Sequence, residues 1–183
     1  MHLAPVSRRL ATAAVFNGVA LGGLTLAAGA MSLSGCKPVA DFTGAAPAST
    51  MILLDGKPFT TEQMKGKVTL VNFWATSCTT CVAEMPEIIA TYKKFAPQGF
   101  DTVAVAMSYD PPAFVVNFAE TRKLPFKVAI DNTGAVAKAW GDVKLTPTTY
   151  LVNKKGEIVK RYVGTPDFAA MQALIGQLLA EKA

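Results

Sequence analysis

The sequence predicts an α/β domain built on a central mixed β-sheet with helices on both faces. Three observations carry this. Apolar, β-branched runs of strand length alternate, along residues 50–183, with stretches whose apolar residues recur every three or four positions. The alternation of strand and helix calls for parallel crossovers. The last two strand-like runs are separated only by the turn Asn153-Lys154-Lys155-Gly156, so they pair antiparallel, and a sheet holding both kinds of pairing is mixed.

The elements follow in order. Met51-Ile52-Leu53-Leu54 is a short apolar run stopped by the turn pair Asp55-Gly56. Thr60 and Gln63 have the spacing of a capping box around a single helical turn. Val68 to Trp74 is β-branched and aromatic, as a buried central strand should be. From Thr80 to Phe95 the apolar residues Val82, Met85, Ile88, Ile89 and Tyr92 mark one face of a helix, and Pro86 inside it removes a backbone donor and predicts a kink. Thr102 to Met107 is a second strand, and Pro111-Pro112 opens a helix reaching Lys123. Phe126–Ile130 is a third strand, Thr133–Trp140 a short helix and Thr148–Val152 a fourth strand. Glu157–Val163 returns antiparallel, and Asp167 caps a last helix to Glu181.

The 183 residues suffice for one domain with a full core. Hydrophobic residues reach 51% and charged ones only 17%, and the apolar excess sits at the front. Residues 1–35 hold Arg8, Arg9 and no acid, with an uncharged run from Leu10 to Leu33. They read as an export signal. Leu33-Ser34-Gly35-Cys36 resembles the lipobox of bacterial lipoproteins, which implies cleavage before Cys36 and lipidation of that cysteine. Acyl chains contribute about 0.8 kcal/mol per buried methylene, so several chains anchor firmly. Ala28-Gly29-Ala30 also fits an ordinary secretory cleavage site, and the uncharged run is long enough to span a bilayer uncleaved. Residues 36–49, rich in Ala, Pro, Thr and Gly, read as a tether to a domain over 50–183. Beyond the signal, basic residues exceed acidic ones only mildly and are scattered, with no basic stripe interleaved with aromatics. A nucleic-acid partner is not expected.

The chemistry lies at Cys78-Thr79-Thr80-Cys81, between the central strand and the first long helix. A helix N-terminus presents unpaired N–H groups and a positive dipole end, which favour a thiolate on the first cysteine. The second cysteine, one turn on, can attack a mixed disulfide and release it. This makes Cys78 the nucleophile and Cys81 the resolving thiol. Two plainer readings are half of a zinc site and a structural disulfide. The first lacks other cysteine or histidine ligands after residue 36, and the second closes so short a loop that it stabilises little. Three cysteines are odd for an exported chain, and lipidation of Cys36 leaves one pair.

Residues 50–183 resemble the TlpA-type branch of the thioredoxin superfamily. The matching stretches are Gly66-Lys67-Val68 and Val71-Asn72-Phe73-Trp74-Ala75 before the cysteines, and Glu84-Met85-Pro86 after them. Thr146-Pro147-Thr148-Thr149-Tyr150-Leu151-Val152 and the Gly156 hairpin ending at Gly164 complete the match. The resemblance implies a thioredoxin-like fold with an N-terminal β extension and an αβ insertion. It implies a thiol:disulfide oxidoreductase that needs no bound cofactor. It also implies a cis Pro147 facing the redox pair, with Thr146 offering backbone groups to an extended substrate segment, and Glu84 as an acid that tunes the thiols.

Three departures stand out: Thr79-Thr80 lacks the usual Pro before the second cysteine, Ser77 stands where Trp is common, and Asn72 occupies the place of thioredoxin's buried Asp. Thr hydroxyls near Cys78 offer donors to its thiolate.

The family branch implies protein disulfide substrates, a transmembrane electron donor to recharge the dithiol, and a lipoprotein facing the bacterial periplasm. Lys37, in place of Asp after Cys36, points to the outer membrane. Cytochrome c or oxidase maturation is the expected setting. Competing functions are an oxidant or isomerase of exported proteins, a peroxiredoxin-like antioxidant and a non-catalytic binding module. A peroxiredoxin expects Pro and Thr where Val71 and Ala75 stand. A Sco-type copper chaperone needs a histidine, and the only one is His2.

Overall fold

A computed structural model describes residues 42–182. The expected export signal (1–35) and the proposed lipid site Cys36 lie outside them. Among the described residues eight strands form one sheet: β1 (Gly44–Ala45), β2 (Thr50–Leu53), β3 (Pro58–Thr60), β4 (Val68–Trp74), β5 (Phe100–Ala106), β6 (Lys127–Ile130), β7 (Thr148–Val152) and β8 (Glu157–Val163). Their spatial order is β1-β8-β7-β4-β5-β6-β2-β3. β4 runs parallel to β5 and β5 to β6, and the other pairings are antiparallel. The helices are α1 (Thr79–Phe95), α2 (Pro112–Thr121), α3 (Ala135–Ala139) and α4 (Phe168–Ala180). This is the thioredoxin-like arrangement expected. β2 and β3 form the N-terminal extension, and α2 with β6 the insertion.

Alternation along β4 sorts the two cores. Val68, Leu70 and Trp74 face one side, with Met85 and Ile88 of α1, Val115 of α2 and Met171 and Ile175 of α4. Val71 and Phe73 face the other, with Trp140, Tyr150, Met51, Phe59 and Met64. β4 and β5 are buried along their whole length, which is why their sequences read as unbroken apolar runs. α1 continues through Pro86. At the 3₁₀ turn Thr61–Met64, Gln63 accepts from the Thr60 N–H at 2.7 Å, the contact its spacing predicted.

The tether assigned to 36–49 is corrected from Phe42 onward. Phe42 packs edge-on against Tyr150, β1 pairs with β8, and the Ala46 N–H donates to the Gly156 carbonyl. The Thr61 hydroxyl donates to the Pro47 carbonyl at 2.8 Å, and Trp140 Nε1 donates to Ser49 Oγ at 3.2 Å. Sequence composition could not show this, because a two-residue strand held by backbone bonds carries no hydrophobic period.

The same segment explains the curl of the sheet. β1 and β2 lie at opposite sides of the strand order, and a flat sheet would hold them about 29 Å apart. Ala45 and Thr50 are joined by a chain that reaches at most about 18 Å. The edges must therefore approach each other, and residues 46–49 strap them together.

Candidate active site

The redox pair stands where the central strand ends. β4 finishes at Trp74, and residues 75–77 turn the chain into α1. Cys78 occupies the N-cap, where its Sγ accepts from the Cys81 N–H at 3.2 Å. Cys78 and Cys81 form a disulfide, with Cα atoms 5.2 Å apart. Cys81 is fully buried and Cys78 only partly so. The donor to Cys78 Sγ is this backbone amide, not the hydroxyl of Thr79 or Thr80, both of which are exposed.

The loop before Cys78 is pinned from the neighbouring strand. Asp110, just beyond β5 and buried, accepts from the Thr76 N–H at 2.6 Å and from the Thr76 hydroxyl at 2.5 Å. Neither residue was singled out from sequence. An Asp ahead of Pro111-Pro112 signals a turn, but its partner lies 34 positions away and no local pattern names it.

Glu84 is on α1, three residues past Cys81, and is only 4% exposed. Alternation along β4 puts Asn72 on the face that α1 covers. Asn72 Nδ2 donates to Glu84 Oε1 at 3.2 Å and to Thr149 Oγ1 of β7 at 2.9 Å. Burial pushes the Glu84 carboxyl up to about 7, against the opposing pull of hydrogen bonds from Asn72 and, more weakly, Thr165. Glu84 Oε2 and Asn72 Oδ1 meet no partner within hydrogen-bond geometry, so the site holds a carboxyl that no cation neutralises. Thr149 is a further residue that sequence reasoning did not place here.

Pro147 is buried and its bond to Thr146 is cis, as the resemblance implied. β7 begins with Thr148 opposite Phe73, so Pro147 lies level with the end of β4, where the chain enters the cysteine loop. The Pro147 carbonyl accepts from the Gly164 N–H at 2.8 Å. Thr146 is half-buried, and its hydroxyl is 3.3 Å from that of Tyr109, which projects from the loop after β5. Cys78, Cys81, Glu84, Thr146 and Pro147 therefore gather at one end of the sheet. Among the described residues no group of three or more His, Cys, Asp and Glu side chains could hold a metal ion.

A dithiol at a helix N-terminus beside a cis-proline loop has close counterparts. The family model described as Redoxin matches residues 41–175. The chain belongs to the Redoxin family. Thiol-disulfide oxidoreductase ResA of Bacillus thuringiensis is 34% identical over 119 residues, which is 65% of this chain and 68% of that protein. ResA of Bacillus subtilis is 38% identical over 111 residues, 61% of each chain. A Neisseria meningitidis structure, described as a candidate thioredoxin, is 42% identical with a TM-score of 0.69, covering 73% of this chain and 88% of that one. A thiol:disulfide interchange protein of Chlorobium tepidum is 27% identical with a TM-score of 0.67, covering 74% and 96%. This Redoxin-family chain is a thiol:disulfide oxidoreductase of ResA type, with its disulfide at Cys78–Cys81.

Proposed function

We propose that this oxidoreductase reduces disulfides of exported proteins, with Cys78 as nucleophile and Cys81 as resolving thiol. The observation that carries the reading is the unequal burial of the two sulfurs: an incoming disulfide can reach Cys78 and not Cys81. In the reduced protein the Cys78 thiolate attacks one sulfur of the substrate disulfide. A mixed disulfide forms, and the other substrate sulfur leaves as a thiolate and takes up a proton. Cys81 then loses its proton and attacks the Cys78 sulfur. The second substrate sulfur leaves as a thiolate, and two electrons have passed from protein to substrate.

Glu84 suits the second step. Its carboxylate, one turn along α1 from Cys81, receives the Cys81 proton, and a carboxyl that ionises near 7 can both take and return a proton at neutral pH. Resolution should accelerate as pH rises through about 7, and Glu84→Gln should remove that rise. Thr146, half-buried before the cis Pro147 at this end of the sheet, offers backbone groups with which an extended substrate segment pairs.

Recharging needs an electron donor, and for an exported protein that donor is a transmembrane one. Export rests on the signal-like residues 1–35 and anchoring on lipidated Cys36, which together place the domain on the periplasmic side of a membrane, outer-membrane sorting being favoured by Lys37. Cytochrome c or oxidase maturation is the setting that we propose, on the resemblance of residues 50–183 to the TlpA-type branch. No helix among the described residues is long and apolar enough to cross a membrane.

The deciding experiment is the reduction potential of the Cys78–Cys81 couple. A value of about −300 to −250 mV supports a reductant, and one near about −120 mV makes the protein an oxidant. Mass spectrometry of the mature N-terminus tests the anchor, and a free thiol on Cys36 would remove it.

A further inference from the structure

We propose that the cleft between α1 and α2 docks an apolar, acid-flanked segment of the protein whose disulfide Cys78 attacks. The proposal rests on Cys78 being the nucleophile and adds to it a site that selects the substrate. Two recesses make up the cleft. One, of about 340 Å³, is lined by Val82, Met85, Pro86 and Ile89 of α1 and by Phe118, with Lys93 and Arg122 at its rim. The other, of about 410 Å³, is lined by Thr76, Phe114, Asn117, Phe118, Thr121 and Arg122. They share Phe118 and Arg122 as lining, so they lie side by side along one groove between the helices.

Its position, walls and charge point to one kind of occupant. The groove flanks the redox pair along the chain: Val82, the residue after Cys81, lines one recess, and Thr76, of the loop before Cys78, lines the other. From Val82 to Lys93 it follows α1 for about 16 Å, the length of a short peptide segment. Phe114 stands at its rim 62% exposed, a large apolar surface that the fold leaves uncovered.

Lys93 and Arg122 make no salt bridge among the described residues; Arg122 lies over the Phe118 ring, 5.7 Å from its centre. The acids of the two helices, Glu84, Glu87 and Glu120, line neither recess. A groove with an apolar floor and uncompensated cations complements a segment with apolar anchors and carboxylates beside them. A polypeptide fits better than a bilayer surface, because the apolar floor is recessed between two helices.

The test uses the full chain, reduced, and short peptides whose single cysteine is disulfide-linked to a chromogenic aromatic thiol. One peptide carries Phe and Leu flanked by Asp and Glu, a second has Lys for the acids, and a third has Ser for the apolar residues. Release of the aromatic thiol gives the exchange rate, and 2-hydroxyethyl disulfide serves as a small uncharged substrate. The acidic apolar peptide should react about tenfold faster than the others at low ionic strength, and most of its advantage over the Lys peptide should vanish in about 0.5 M salt. Lys93→Glu with Arg122→Glu should invert the order of the acidic and basic peptides, and Phe114→Ser should erode the advantage over the Ser peptide. Neither variant should alter the rate with 2-hydroxyethyl disulfide.

Equal rates for the three peptides, or a preference untouched by charge reversal, would overturn the docking site while leaving the redox chemistry standing. Loss of the redox reading itself would show as no reaction of the unmodified protein with 2-hydroxyethyl disulfide. Binding to phosphatidylglycerol vesicles that the charge reversal abolishes, with peptide rates unchanged, would assign the groove to a membrane surface instead.

Discussion

Two buried carboxylates in this molecule have opposite surroundings. Asp101, near the start of β5 and 8% exposed at its side chain, sits 2.6 Å from Lys127 Nζ and 3.6 Å from Lys67 Nζ, and also accepts from the Thr102 N–H. Glu84, behind the redox pair, has an amide donor and no cation, and its second oxygen is unpartnered. The first arrangement fixes a charge and ties β5 to β6. The second leaves the charge uncompensated, so the proton is held until neutral pH. A fold seldom tolerates a buried group of the second kind for stability alone, and its place one turn from Cys81 is where the proposed mechanism needs a proton acceptor.

The largest expected effect separates chemistry from scaffold. Cys78→Ala should abolish disulfide exchange, and Cys81→Ala should stall it as mixed disulfides on Cys78, visible on non-reducing gels. Asp101→Asn should leave exchange rates intact. Equal trapping by both cysteine variants would overturn the proposed roles of Cys78 and Cys81.

Next comes the pH dependence of stability. Glu84 has its carboxyl raised from 4.5 to about 7 in the folded protein, so the folded state binds its proton more tightly than the unfolded state. The stability this contributes is fully present below pH 4.5 and is lost as pH rises through about 7. Glu84→Gln keeps the shape and removes the titration. Its stability relative to the parent should rise between those pH values and level off near pH 8, by up to about 3 kcal/mol. Urea melts across pH 4 to 8 measure this, and a flat difference would contradict the raised carboxyl.

Removing the charge of Asp101 should act in the other direction. Asp101→Asn strips a partner from Lys127, which at 33% side-chain exposure still reaches water. A loss of about 2 kcal/mol is expected in the same melts, less than for a fully buried pair. The smallest effect belongs to Lys67→Met. This lysine is 53% exposed and the farther of the two, so its change should stay within about 0.5 kcal/mol. A larger loss would mean that both lysines hold Asp101 equally.

Much of this was readable in the sequence, for local reasons. The periods of Val68–Trp74 and of the helix after Cys78 were strong enough to place a strand, a turn and a helix around the cysteines. A strand feeding a helix N-terminus is itself the reason Cys78 is expected to be the reactive thiol. Strand ends were less legible: β5 begins at Phe100 rather than Thr102, because Asp101 interrupts the apolar run and only Lys127 and Lys67 explain its burial. β3 carries no pattern of its own, being three residues that return from a turn to pair with β2.

The sequence by itself determined the chemistry: two cysteines one helical turn apart, after a buried strand, with a cis-proline motif downstream. Tertiary structure alone decided what those cysteines meet. Asn72 and Glu84 were each visible, yet only packing of α1 on β4 joins them, and Thr149 enters through a strand pairing 77 positions away. Asp110 reaches Thr76, and residues 42–49 close the sheet, by the same kind of long-range contact. Such contacts are set by the order and curl of strands, which depend on the whole core at once and leave no period in any one segment.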